Sequence, residues 1–412
     1  MKLYQESKLA NGLSIITAED KNADIVTASL CIKAGSRYEQ LDERGYAHIL
    51  EHMLVKATQR MPSPQRLGDV IDRAGAYSNA TTSPESLRLH MQVVCSRFED
   101  LFEIMSDMAV VPLLDSQMLE TEKKVILEEL HRFYDNDDAR MSAESDASVF
   151  GAHPLGLNPI GDEESISHAT IERLRTYYGK YVVPKRSTLI AVGNISHAEI
   201  VSLAEKHLMR WNNGVIHKEM QSIPEQNSGH VFTKLSRTQT TFFFNFLHPQ
   251  AGIREALLLH FVANILTYGK APFLKQELRH KGGLVYAVSA HATPYQDVTL
   301  MRVVAGTTEP KKVLALLPEL LSLCDTLYVK NIFSELKEQF KNVFVRLLND
   351  PYYEVGMLWI YKKLAGNMVT PEDMFHVIDS FSYDEFVAIK NKYLSKDNMF
   401  VAAFGKEDPF EN

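Results

Sequence analysis

Five residue pairs at a single offset constrain this chain more than any other feature. Ile166, Thr170, Lys180, Tyr181 and Gly193 recur as Ile378, Ser382, Lys392, Tyr393 and Gly405, every pair 212 positions apart. Both sets read as a helix, then Lys-Tyr, then an apolar strand ending in Ala-Val-Gly or Ala-Phe-Gly. One such pair is noise. Five in matching context predict a duplicated domain, and the period is far longer than the roughly 20–50 residues of a solenoid unit. Two unrelated helix-strand endings that look alike are the alternative. The length of 412 residues suits two domains of about 200 residues each.

The element pattern predicts strands at 12–17 and 25–32 and a helix over 43–56. Ser63 caps a second helix over 64–74, with Pro64 at its start and Gly75 beyond its end. Residues 77–82 and 86–94 read as a hairpin, followed by helices at 98–110 and 115–134. The Pro- and Gly-rich run 151–161 reads as a structured loop, and a helix at 171–181 leads into a strand at 188–192. The polar, aperiodic segment 212–228 reads as a linker. It separates a first domain, 1–211, from a second, 229–412. The second half repeats the grammar with a strand at 240–247, a helix at 253–267 and strands at 285–292 and 299–305.

Lys and Arg total 44 against 52 Asp and Glu, a net charge of −8. Phosphate binding needs a basic surface, so nucleic acid is not the expected partner. A basic substrate drawn into an acidic cavity stays open. The three cysteines, Cys31, Cys95 and Cys324, are isolated and form no CxxC, so they read as small apolar residues rather than a disulfide framework. The N-terminus shows no signal or transit pattern, and no apolar run approaches the ~18 residues of a membrane span. Cytoplasmic residence without a membrane contact is the expectation.

The stretch Tyr46-Ala47-His48-Ile49-Leu50-Glu51-His52-Met53-Leu54 carries chemistry. His48 and His52 stand at i and i+4 of a predicted helix, so their imidazoles point the same way. Two neutral imidazoles can share one tetrahedral Zn²⁺. Glu51 lies on the same side, where a carboxylate can take a proton from water and deliver it to a leaving amine. A bare HxxEH also fits two histidines that merely hydrogen-bond locally. A zinc site needs a third ligand, and Glu122 and Glu129 share a face of the later helix, being seven apart. Val125 and Ile126 beside that face predict a core behind the carboxylates, while Glu128 points to solvent. Alone, that helix also reads as a charged surface helix.

Taken together, HILEH and the later EKKVILEE resemble the pitrilysin-type zinc metallopeptidases, the inverzincins. The chain is most similar to their single-half members, the bacterial peptidases that resemble the mitochondrial processing peptidase. In that family the third ligand is a Glu with 76 residues between it and the second His, which is the position of Glu129. The resemblance implies His48, His52 and Glu129 as ligands of one Zn²⁺ per chain and Glu51 as catalytic base. It implies that Glu122 orients a ligand or the water. The fold it implies is α+β: two homologous domains, each a mostly antiparallel sheet packed with helices, together one half of a clamshell.

Further segments extend the likeness over nearly the whole chain. Ala34-Gly35-Ser36-Arg37 with Gly45 resembles the family's opening. Asn79-Ala80-Thr81-Thr82 resembles its active-site edge strand, which an extended peptide could join by main-chain hydrogen bonds. His153 to Gly156 and Pro159 to Gly161 match its central loop. Lys185-Arg186-Ser187 departs from the family's Pro-x-Asn at a turn. In the second domain, Arg279 and Tyr286 match a substrate motif: the Arg to bind a substrate carbonyl, the Tyr hydroxyl to donate to the forming oxyanion. The segment 267–272 holds one Gly where relatives are Gly-rich, which weighs against a presequence-handling role.

The expected function is a zinc endopeptidase acting on peptides or unfolded polypeptide segments. In single-half relatives the metal site and the Arg/Tyr pair come from separate chains. Because this chain carries both, a homodimer with sites completed in trans is expected, a heterodimer with a related subunit being the alternative. A non-catalytic scaffold subunit on the same fold and a dedicated leader-peptide processing protease are the competing readings.

Overall fold

A computed structural model describes residues 2–212, 214, 221–223, 228–249, 252–268, 272–325 and 327–411. Most of the segment read as a linker, 212–228, therefore lies outside the described residues. The chain divides into two compact units. The first comprises Met1–Ala143, Ala152–Ser222 and Asn349–Trp359; the second comprises Glu144–Gly151, Ile223–Leu348 and Ile360–Asn412. The class is α+β.

The first unit is built on strands β1 (Leu3–Lys8), β2 (Ser14–Glu19), β3 (Ile25–Ile32), β4 (Tyr77–Ser83), β5 (Ser86–Val94) and β6 (Ser187–Gly193). They form one sheet in the order β1-β2-β6-β3-β5-β4, antiparallel except for β2 beside β6. Its helices include α1 (Tyr46–Lys56), α2 (Pro64–Arg73), α3 (Phe98–Val110), α4 (Ser116–Asp135), α5 (Asp137–Phe150, shared with the second unit), α6 (Glu163–Ser167), α7 (Ile171–Tyr181) and α8 (His197–Leu208). Val26, Ala28, Leu30 and Ile32 of β3 alternate toward a core with Leu89, Met91, Leu50, Met53, Phe102 and Leu174. On the opposite face Ser29 Oγ and His90 Nδ1 lie 2.7 Å apart and Gln92 Nε2 donates to Thr27 Oγ1 at 2.8 Å, so the buried polar atoms there are paired.

The second unit repeats this plan. Strands β7 (Gly229–Lys234), β8 (Thr240–Pro249), β9 (Ala287–Pro294), β10 (Val298–Thr307) and β11 (Phe400–Gly405) pair in the order β7-β11-β8-β10-β9, antiparallel except β7 beside β11. Set β1 aside, and the first sheet's order β2-β6-β3-β5-β4 is the same arrangement. The helix α9 (Ile253–Thr267) centres its core on Phe261, ringed by Phe333, Phe340, Phe381 and Phe386.

Each of the five repeated pairs has a physical task that both units share. Ile166 and Ile378 are fully buried. Thr170 and Ser382 are N-caps, accepting from the amides of Arg173 and Glu385. Lys180 and Lys392 place their ammonium groups 4.9 and 4.4 Å from the ring centres of Tyr181 and Tyr393. Gly193 and Gly405 close the central strands. Gly193 has φ +136°, and a Cβ there would meet Ile25 O at 2.2 Å, so no other residue fits.

Differences from expectation are local. The helix expected from residue 43 begins at Tyr46, because a 3₁₀ turn at Leu41–Glu43 precedes the left-handed Gly45. Strands β1 and β7 and helices α5, α6 and α8 have no counterpart in the sequence-based expectation. None of the three cysteines is in a disulfide; Cys31 and Cys324 are buried and Cys95 partly so. Among the described residues, no helix is long and apolar enough to cross a membrane.

Candidate metal centre

Helix α1 carries two histidines because its other positions are spoken for. Tyr46, Ala47, Ile49, Leu50, Met53 and Leu54 are buried in the core, which leaves His48, Glu51 and His52 on the remaining face. Helix α4 packs against α1 and is started by Asp115, whose carboxylate accepts from the amides of Gln117 and Met118. Ile126 of α4 is buried as expected. Val125, expected beside it in the core, is instead 40% exposed, since one residue on a helix turns the side chain by about 100°. Glu128 is exposed.

The two helices bring three donor groups together. Glu129 Oε2 lies 3.6 Å from His48 Nε2 and 3.4 Å from His52 Nε2. One ligand atom from each of the three residues falls within 4.8 Å of the others; among the described residues this is the one His/Cys/Asp/Glu group so arranged. Glu122, buried one turn-pair earlier on the same helix, has Oε2 3.0 Å from His52 Nδ1 and Oε1 2.9 Å from Lys56 Nζ. With a proton on Nδ1 donated to Glu122, the Nε2 of His52 is left facing Glu129. His48 Nδ1 is buried without a hydrogen-bond partner. Burial, reinforced by the neighbouring His52, pushes the His48 imidazole down to about 4, so it is neutral near pH 7. Two imidazoles and a carboxylate within one small cluster fit the His₂Glu donor set of catalytic zinc.

Glu51 faces the same region. The Thr82 hydroxyl of β4 donates to Glu51 Oε2 at 2.6 Å. Burial raises the Glu51 pKa above the ordinary carboxylate value, and the Thr82 bond pulls against it. A raised proton affinity suits a group that must accept a proton and later return it. Strand β4 is the terminal strand of its sheet, and the described residues place no strand on its outer side. Asn79 is exposed there and Ala80 is buried.

The Arg/Tyr motif lies in the second unit. Arg279 sits on a π-helical turn, Lys275–Lys281, and Tyr286 immediately precedes β9. The Arg279 guanidinium is 5.6 Å from the Tyr286 ring centre, both side chains are exposed, and Tyr286 is 74% so. Residues 269–271 of the segment before this motif lie outside the described residues.

Two contacts at the site were not read from the sequence. Thr82 becomes visible as the Glu51 partner only once β4 is laid beside α1. Glu39 contacts the start of α1 from a turn six residues upstream: its carboxylate accepts from Gly45 N at 2.9 Å and Ala47 N at 2.7 Å. Burial pushes its pKa up to about 8 while these two amides oppose that rise. An acidic residue shortly before a helix was the available signal.

Two family models match the chain: insulinase, peptidase family M16, over residues 14–163, and the peptidase M16 inactive domain over 168–340. A sequence from Rickettsia felis described as an uncharacterized zinc protease is 27% identical over 95% of each chain. One from Bacillus subtilis strain 168, with the same description, is 27% identical over 72% of each. The crystal structure of a protease from Helicobacter pylori superposes with a TM-score of 0.88 at 20% identity, covering 98% of this chain and all of that one.

Proposed function

Because the chain belongs to peptidase family M16, we propose that it is a zinc-dependent endopeptidase cleaving peptides or unfolded polypeptide segments. The observation that carries this reading is the convergence of His48, His52 and Glu129 beside Glu51. His48, His52 and Glu129 hold one zinc ion per chain, and Glu122 orients His52. Bound there, zinc supplies Lewis acidity that polarises an oxygen and eases deprotonation of water.

The chain's own residues do the rest. Glu51, oriented by Thr82, accepts the proton of the attacking water and delivers it to the leaving amine nitrogen. A substrate segment lies as an added strand along β4 at Asn79 and Ala80, which fixes the scissile bond's direction. Arg279 binds a substrate carbonyl, and the Tyr286 hydroxyl donates to the oxyanion as it forms. We assign the metal site to a domain spanning 1–211 and the Arg/Tyr pair to one spanning 229–412, joined by 212–228. The pair serving each zinc site comes from a second copy of the chain, so the working enzyme is a homodimer whose enclosed chamber excludes folded proteins.

A peptide-library digest tests the substrate class. Unstructured peptides should be cut internally and a stably folded protein left whole, with basic residues enriched near the cut if the net charge of −8 reflects an acidic chamber. Equal cleavage of folded and unfolded substrates would contradict the chamber.

A further inference from the structure

The start of helix α1 is capped in an unusual way. Its N-cap, Gly45, has φ +85° and no side chain, so it cannot cap its own helix. The first amides of a helix nonetheless need acceptors. Glu39 supplies them from outside the helix, accepting from the N-cap amide of Gly45 and from that of Ala47, which directly precedes His48. A Cβ at Gly45 would lie 2.5 Å from Ile160 O, so a conventional side-chain cap has no room.

The segment that presents Glu39 is itself fixed on several sides. The Tyr177 hydroxyl donates to Ala34 O at 3.0 Å, and that of Tyr181 donates to Tyr38 O at 2.7 Å. Arg37 N donates to Pro84 O at 2.7 Å, and the buried Arg37 guanidinium pairs with Glu85 at 2.7 Å. On its other side Glu39 borders a cavity of about 10 Å³. Ser36, Arg44 and Asn158 are among its lining residues, and Ser36 Oγ, Arg44 Nε and Asn158 Nδ2 are buried without a hydrogen-bond partner; the cavity has room for about one water. Burying a carboxyl this deeply is costly, and the two α1 amides offset that cost.

We propose that Glu39 is a positioning residue of the metal centre: it clamps the first turn of α1 and thereby sets where His48 and His52 stand relative to Glu129. The inference rests on the zinc site proposed above. Glu39 touches neither substrate nor metal and acts through the helix. In Glu39→Gln the amide must turn an N–H₂ toward one of the two helix amides, losing one bond and creating a donor-donor contact. In Glu39→Asp both carboxyl oxygens remain as acceptors, but the shorter arm cannot reach both amides.

The test measures zinc affinity by chelator competition for the full chain, together with backbone amide exchange in the metal-free protein. Glu39→Gln should weaken zinc binding about 10–100-fold, the range for residues that support ligands. Exchange at Gly45 and Ala47 should speed up without metal present. Glu39→Asp should show a smaller loss of the same kind. The control is Glu354→Gln, which removes a fully buried carboxylate bonded to Tyr4 at 2.6 Å and paired with Lys2, away from α1. It should lower thermal stability yet leave zinc affinity within about 3-fold, as expected for residues not coupled to a site. Wild-type zinc affinity in Glu39→Gln, unchanged exchange at the two amides, or an equal loss in the control would overturn the proposal. A wild-type chain that binds no zinc would instead defeat the metal reading, and the exchange rates would still judge the clamp.

Discussion

Glu51→Gln keeps its zinc and loses peptide hydrolysis by about 10³-fold or more, toward the upper part of the range for a positioned acid-base group and equivalent to about 4 kcal/mol of barrier. The substitution is nearly isosteric and can still accept from Thr82 Oγ1, which sits 2.6 Å from the carboxylate. What it removes is the ability to take a proton. Glu51 is not among the three converging donors, so metal content should stay at the wild-type level. Metal analysis and initial rates on one peptide, measured on the same preparation, check both halves. Activity within about tenfold of wild type would assign the base elsewhere. Loss of zinc in step with activity would make Glu51 a ligand instead. A wild-type chain already inactive on every peptide would favour a scaffold subunit.

Mixing two dead variants should restore activity. Tyr286→Phe removes the oxyanion donor and should cost about 10²–10³-fold by itself. If each site takes its zinc helix from one chain and its Arg/Tyr pair from the other, a mixed dimer of Glu51→Gln and Tyr286→Phe holds one wholly wild-type site. The second site carries both defects. At equal concentrations about half the dimers are mixed, so about a quarter of wild-type activity should return after the subunits exchange. Sites completed within one chain give no recovery, because every site then keeps one defect. Mass spectrometry of the mixture confirms exchange, so the absence of recovery has a single meaning.

How much was legible before the structure depends on whether a feature is local. The repeat was legible because caps, Lys-Tyr contacts and strand-closing glycines are set within a few residues: Thr170 beside α7, or Gly193 against Ile25. Helices α3 and α7 have clear apolar periodicity and match the expected bounds. Helix α5 did not announce itself, since its sequence Asp-Asp-Ala-Arg-Met-Ser-Ala-Glu-Ser-Asp has few apolar positions to set a period. Strand β1 is mostly exposed and pairs only with β2, so burial left little pattern in it. At the site, His48 and His52 are an i,i+4 pair, and Glu122 and Glu129 share a helix face; both are local facts. Linking the two helices took a resemblance, because α1 and α4 meet only in the folded unit. Thr82 reads as part of an edge strand and Glu39 as an acidic residue before a helix, but no fixed spacing ties Thr82 to Glu51 or Glu39 to the amides of Gly45 and Ala47, so the contacts themselves emerge only in the fold.

The proposed activity depends on one zinc ion held by His48, His52 and Glu129. Stripping the purified chain with a chelator and titrating zinc back while following hydrolysis of a single peptide tests it most directly. Activity should vanish on stripping, rise in proportion to added zinc and level off near one ion per chain, with no recovery in His52→Ala. Hydrolysis that survives stripping, or that returns equally in His52→Ala, would contradict it.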